Sequence, residues 1–376
     1  MQYSTPVTLI VPEGVTRISP HSLDACDDLV SITLPSTLQS IGKFAFHDCV
    51  KLYSLVLPSN LSSIEGHAFR GCRGLTLIEF PEHLKSIGSS AFSRCEGLTS
   101  VTLSCNMTVV EDNLFSQCVN LASIKLPDTV TRINAQAFSG CAKLASVTLS
   151  KSLKVIGKHA FYKCDSLVSI TLPHGLTTIG PNAFSDCFAL TSLVLPDTVT
   201  KFDYAFYRCY SLVSVTIPSN LTRIGDNAFC RCARLTSIVL PKKLTSLCPR
   251  AFFGCSSLTS VTLPRGLTKI GDKAFFECTE LTSAAFEPRA SAAFITWALG
   301  SSRNRANWMV TTLKHSHNLL ILIAAFAFEP ARDIASVDPS GEKAVFKGCP
   351  KLDKKLTKVY DRLSRAYTYV HDMYGY

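Results

Sequence analysis

The stretch LTSVTLPRGLTKIGDKAFFEC at 258–278 is written almost identically 23 residues earlier, as LTSIVLPKKLTSLCPRAFFGC, and the copying runs back to Cys26. A fixed short period constrains the fold more than any bulk property. A unit of this size cannot bury its own apolar side chains and must stack on its neighbours. Aligned, the unit reads L-x-x-[IVL]-x-L-P-x-x-L-x-x-I-G-x-x-A-F-x-x-C-x-x. Its leading leucine falls at 29, 52, 75, 98, 121, 144, 167, 190, 212, 235, 258 and 281, and its cysteine at 26, 49, 72, 95, 118, 141, 164, 187, 209, 232, 255 and 278. Every step is 23 residues except Cys187 to Cys209, which is 22. The missing residue lies beside Tyr204, in the loop between the Ile-type and Ala-Phe positions, where a coil can lose a residue without moving its core.

The L-x-x-V-x-L-P segment alternates with period 2 and is rich in Thr and Val, which predicts a short strand ended by proline. Glycine after the isoleucine (Gly42, Gly157, Gly271) is expected to permit the next turn, and Ala-Phe-x-x-Cys to form one helical or 3₁₀ turn. Coils stacked in a parallel ladder about 4.8 Å apart give a right-handed solenoid on the order of 55–60 Å long for twelve coils, with columns of Leu, Ile, Phe and Cys. The outward strand residues should line a concave sheet. One column runs from Ser31 through Ser100, Ser146 and Ser214 to Ser260, the next from Thr33 to Thr262, with Glu79 and Lys125 its only charges. No histidine occupies these positions, so no serine there has a base to activate it. A P-loop, a dinucleotide glycine motif and HExxH are all missing from the sequence, and His315 and His317 form an isolated pair. The expectation is a protein without catalytic activity, cofactor or metal.

The repeated phrase resembles the BspA-like subclass of leucine-rich repeats, over residues 6–286. The resemblance implies a curved leucine-rich-repeat β-solenoid used for binding or adhesion; it brings no shared catalytic residues and no ligand.

A column of cysteines invites a disulfide or metal reading. A spacing of 23 matches no zinc pattern, and parallel thiol vectors are poor geometry for a bridge. The cysteines are therefore expected to pack as small buried hydrophobes, which favours a reducing, cytoplasmic setting over the cell surface. In Cys230-Arg231-Cys232 one sulfur belongs to the core column, so Cys230 is expected to face solvent. The acceptor patterns at Asn60, Asn106 and Asn220 sit where an Asn in the repeat creates them automatically, and they are read as unglycosylated.

Charge is uneven. Residues 1–143 carry 10 Lys/Arg against 12 Asp/Glu, residues 144–280 carry 15 against 8, and residues 281–376 carry 13 against 8. The basic residues are scattered along a solvated face rather than clustered, so an acidic protein partner is conceivable and nucleic acid is not expected. The N-terminus shows no secretory signal, and the longest uncharged apolar run, 319–328, is about half the length a bilayer needs, so no membrane span is expected. Only five residues precede the first coil, whose apolar set (Leu9, Val11, Val15, Ile18, Leu23) needs a neighbour on both sides. Another chain or an upstream segment is expected to cover it.

Variation concentrates at the Ala-Phe-x-x-Cys turns. Tyr162, Lys163, Tyr204, Tyr207, Arg208, Tyr210, Arg231, Arg234, Arg250 and Phe253 fall at equivalent places on nearby coils, and Tyr, Phe and Arg are the residues protein interfaces favour. They are the expected partner-binding patch of a protein-interaction scaffold. The alternatives are a cell-surface or secreted adhesin and, more distantly, glycan or ice binding by the Ser/Thr sheet. The domain reading is a solenoid over 1–286 and a helical cap over 287–376. The cap includes a thirteenth coil split by a helical insertion and resumed at 344–352, with Cys349 next to Cys278, followed by an amphipathic helix.

Overall fold

The computed structural model describes residues 7–281 and the backbone of 283–286. The expected cap over 287–376, with the resumed coil at 344–352 and Cys349, lies outside the described residues. Within them the chain winds into a parallel β-solenoid. Twelve cysteines bound about eleven complete turns, and most turns contribute to two ladders.

The broader ladder is built from the strands the period predicts, for example Ser123–Lys125 beside Ser146–Thr148 and Ser237–Val239 beside Ser260–Leu263, all parallel and paired at like positions of adjacent coils. The middle residue of each of these strands is buried and the flanking Ser and Thr, Val or Lys are exposed, as alternation requires. The narrower ladder runs through Arg132–Ile133, Val155–Ile156 and their equivalents. Threonine recurs because its hydroxyl adds a bond the backbone alone would not make. Thr99, Thr191 and Thr259 donate to the preceding coil's carbonyl at 3.1–3.2 Å. On the narrower ladder Thr177, Thr245 and Thr268 do the same at 3.0–3.1 Å.

The Ala-Phe-x-x-Cys segment is neither helix nor 3₁₀; among the described residues no helix occurs. The residue before Ala and the residue before Cys are left-handed in every coil from 44 onward, for instance His159 (φ 55°) and Lys163 (φ 56°). Two left-handed residues in six break any helical run. They turn alternate N–H groups in opposite directions. Ala160, Tyr162 and Cys164 bond locally to the carbonyls of Gly157, His159 and Phe161, while His159, Phe161 and Lys163 bond forward to Pro181, Ala183 and Ser185. The turn thus joins the inter-coil ladder, which a helical turn would have left incomplete.

The glycine after isoleucine also has a different cause from the one expected. Gly157 and Gly271 do not have positive φ; a Cβ there would lie 2.7 Å from Asn134 C and 2.3 Å from Pro249 N. Close approach of the preceding coil, not turn conformation, excludes a side chain.

Between the ladders lies one continuous core. Eleven phenylalanines from Phe46 to Phe275 stack face to face, ring centroids 4.9–6.1 Å apart and planes within 25°. The 22-residue coil leaves this column unbroken. Phe202 takes the isoleucine place and packs edge-on against Phe206 and Phe229. The shortening interrupts the narrower ladder instead, which resumes at Arg223–Ile224.

The column cysteines are free thiols, buried from Cys49 onward. Each does more than fill space. Cys72 Sγ donates to Phe46 O at 3.0 Å and Cys141 Sγ to Phe115 O at 3.2 Å, and the pattern holds through Cys278. Burial pushes the Cys141 thiol up to about 12, and a thiol, rather than a thiolate, is the poorer nucleophile. Alkylation of the native protein at pH 8 should therefore label Cys105, which is exposed, and then half-buried Cys26. The column from Cys49 to Cys278 should react about a thousandfold more slowly until the chain unfolds. Mass spectrometry of iodoacetamide adducts with and without urea reads this. Uniform labelling of the native chain would contradict it.

Candidate interaction surface

The turn geometry sets three parallel columns along one edge of the solenoid: the residue before Ala, and the two residues before Cys. The forward bonds define their order. Lys163 N bonds Ser185 O, Asp186 N bonds Tyr207 O, Arg208 N bonds Cys230 O at 2.8 Å, and Arg231 N bonds Phe253 O. Lys163, Asp186, Arg208 and Arg231 thus follow one another on consecutive coils.

The column beside them alternates large and small: Tyr162, Ser185, Tyr207, Cys230, Phe253. Arg208, Tyr207, Tyr210 and Arg231 are brought together. The Arg208 guanidinium carbon sits 5.5 Å from the Tyr207 ring centroid, and Arg234 N bonds Tyr210 O at 3.2 Å. Tyr162 and Lys163 form a second cluster two coils away, with Lys163 Nζ 5.3 Å above the Tyr162 ring and His159 edge-on to it. Tyr204 occupies the column before Ala and is 39% exposed, its N–H bonding Asp226 O. Arg250 is exposed in the same column, with Asn227 on the coil between. Phe253 is half-buried and stacks at 5.5 Å on Phe276, toward the last coil.

Two neighbours were not singled out from the sequence. Phe188 is 38% exposed and stacks on Tyr210 at 5.4 Å, adding a third ring to the cluster. Asp186 is buried and lies 3.6 Å from Arg208 Nη1. This is an ionic contact longer than a hydrogen bond. Asp186 Oδ1 and Arg208 Nε are buried without a hydrogen-bond partner among the described residues, a combination that buried polar atoms rarely keep. The signal for Phe188 was available, since the residue after Cys is otherwise small or polar in most coils; Asp186 gave none, because acidic residues are common in turns.

Cys230 does not face solvent. It occupies a small-residue place in that column, between Tyr207 and Phe253, and only 3% of its surface is exposed. Burial raises its thiol to about 11, against the opposing charges of Arg231, Arg250 and Arg208. Among the described residues no group of His, Cys, Asp and Glu is placed to hold a metal, and no helix is long and apolar enough to cross a membrane.

The acceptor asparagines have structural work. Asn60 Nδ2 donates to Ser36 O at 2.9 Å and Asn106 Nδ2 to Glu82 O at 2.7 Å, while Asn220 Oδ1 accepts from Lys243. The Ser/Thr sheet is interrupted by exposed Val56, Val194 and Val239, so its hydroxyls do not form a continuous array.

The BspA type leucine rich repeat region family, in 6 copies, matches residues 3–122, 108–235 and 202–295. A leucine-rich repeat protein from Bacteroides ovatus is 29% identical, with 76% of this chain and 88% of that chain covered and a TM-score of 0.58. A leucine rich cell surface protein from Faecalibacterium prausnitzii is 24% identical over 82% of this chain and 91% of that one, with a TM-score of 0.49. No curated protein matches the chain. With the family matched across the whole described solenoid, and the repeat's period, ladders and columns present in the structure, this chain belongs to the BspA type leucine-rich repeat family.

Proposed function

We propose that the chain is a non-catalytic protein-interaction scaffold whose partner docks on the turn edge around Tyr207, Arg208, Tyr210 and Arg231, with Phe188 beside them. Solenoids offer long rigid surfaces for binding, and this cluster differs from the rest of the edge in holding exposed aromatics and guanidinium groups side by side. The observation that carries the reading is Arg208. It is backed by an aromatic ring, set one coil from Arg231, and 39% of its side chain stays exposed beside a long contact with Asp186. A carboxylate on a partner would complete it, since charge-assisted bonds of guanidinium to carboxylate are the strong ones. The partner surface is accordingly acidic with apolar groups to meet Phe188 and Tyr210.

The test is quantitative affinity capture with the chain and with a Tyr207→Ala, Arg208→Ala, Arg231→Ala variant, followed by affinity measurement on the captured partner. The variant should lose binding by at least about a hundredfold, because truncating central aromatic and Arg positions costs about 2 kcal/mol or more each and these costs do not add in full. Its melting temperature should stay close to that of the parent, since these side chains lie outside the phenylalanine column. Equal affinity of the two proteins would sink the assignment.

A further inference from the structure

On the same edge, four coils toward the N-terminus, the chain forms an open trough of about 710 Å³. Its origin is a run of small residues in the column that elsewhere holds Arg70, Tyr162 and Tyr207. Ser93, Ser116 and Ser139 occupy three successive coils and are buried at the floor. Three coil spacings make it about 14 Å long. Ser93 and Ser116 donate their hydroxyl protons to the carbonyls of Ser116 and Ser139, so their remaining lone pairs are acceptors. The sides carry the carboxamides of Asn113 and Gln136 on one flank and of Gln117 on the other.

One end is basic. Arg70 and Arg94 line it, and the only carboxylate of the lining, Glu96, is engaged by Arg73 at 3.5 Å. Arg94 makes no ion pair among the described residues, and the lining residue His67 has a buried Nδ1 without a hydrogen-bond partner.

From this geometry we infer that the trough is a binding site for an acidic oligosaccharide, with a uronic-acid-type carboxylate at the Arg70–Arg94 end and sugar hydroxyls along the serines and carboxamides. A peptide fits it poorly. The backbone N–H groups of the floor and flanks, such as those of Asn113, Ser116 and Gln117, are spent within the solenoid, so no strand can be added. Apart from Phe44, already stacked on His67 at 4.6 Å, no apolar side chain offers an anchor. Hydroxyl and amide groups in alternation with one net positive end are what a polyhydroxylated anion requires. This site is separate from the Tyr207–Arg208 surface and does not depend on it.

The test is calorimetric titration of the full chain with a hyaluronan tetrasaccharide and a trigalacturonate, beside maltotetraose as the neutral sugar and hexaglutamate as the sugar-free polyanion. One or both acidic sugars should bind saturably, with maltotetraose and hexaglutamate at least about tenfold weaker. Ser116→Tyr, which fills the floor with a residue the same column already accepts at 162 and 207, should abolish binding. Arg94→Gln should weaken it by about tenfold. Arg94 is exposed, so this second variant keeps the test decisive whatever Ser116→Tyr does to folding. No binding of either acidic sugar overturns the inference. So does equal binding of maltotetraose or hexaglutamate, or unaltered binding by Arg94→Gln.

Discussion

Raising the pH above about 9 should unfold this solenoid cooperatively, well before its lysines lose their charge. The cause is the thiol column. From Cys49 to Cys278, eleven cysteines have folded pKa values pushed up by burial, Cys49, Cys141 and Cys278 to about 12 and most of the others well above the ordinary 9.0. A group whose folded pKa is raised contributes stability that is whole below its unfolded pKa and is lost as pH rises toward the folded one. Each pH unit beyond the unfolded pKa therefore removes about 1.4 kcal/mol per thiol. With eleven acting together, half of them ionised in the unfolded chain near pH 9, stability should fall by roughly 7 kcal/mol per pH unit there. A domain has only about 5–15 kcal/mol to lose. Urea midpoints at pH 7.5, 8.5 and 9.5, converted to free energies, give the slope directly. A slope below about 2 kcal/mol per unit would mean the thiols are not held protonated by the fold. The column makes the protein robust to alkylation and fragile to alkali for one and the same reason.

Phe161→Ala should cost about 3–5 kcal/mol, the range for truncating a buried aromatic where surroundings cannot collapse. Phe161 has no exposed surface and is stacked at 5.3 Å on both Phe138 and Phe184. Two aromatic contacts vanish at once, and the neighbouring coils are pinned by their ladders. The coil that follows it is also the weak point of the broader sheet, where residues 167–172 form no strand. Because stability in a repeat array is a sum of local coil and interface terms, the loss should split the unfolding transition in two, the coils before and after 161 melting separately. Val239→Ala, an exposed position on the same sheet, should change stability by less than about 0.5 kcal/mol. Urea melts of the three proteins decide it. A loss below about 1 kcal/mol for Phe161→Ala would show that the stack contributes no more than surface contacts.

The period alone determined the larger part of the architecture. A 23-residue phrase repeated in register makes every like residue a neighbour of its copies, so the Phe and Cys columns, the Ser and Thr outer face and the strand at L-x-x-V-x-L were all legible. Alternation read along one copy says which residues point inward, and stacking then multiplies a single decision by the number of coils. The one-residue deletion was legible for the same reason, as a loop change beside Tyr204 that spares Phe206.

Only the tertiary structure decided what passes between coils. Ala-Phe-x-x-Cys reads locally as a helical turn. Its alternating left-handed residues exist because half of its N–H groups find acceptors on the next coil, a choice made by a partner 22 residues away. The same lateral bonding explains why the cysteine thiols donate to phenylalanine carbonyls and why Gly157 cannot carry a side chain. It also explains why Cys230, next to a core residue in sequence, is itself buried. The trough over Ser93, Ser116 and Ser139 is the extreme case. Each serine by itself is an ordinary turn residue, and a binding shape arises only because the ladder sets three small side chains in a row between Arg70 and Tyr162.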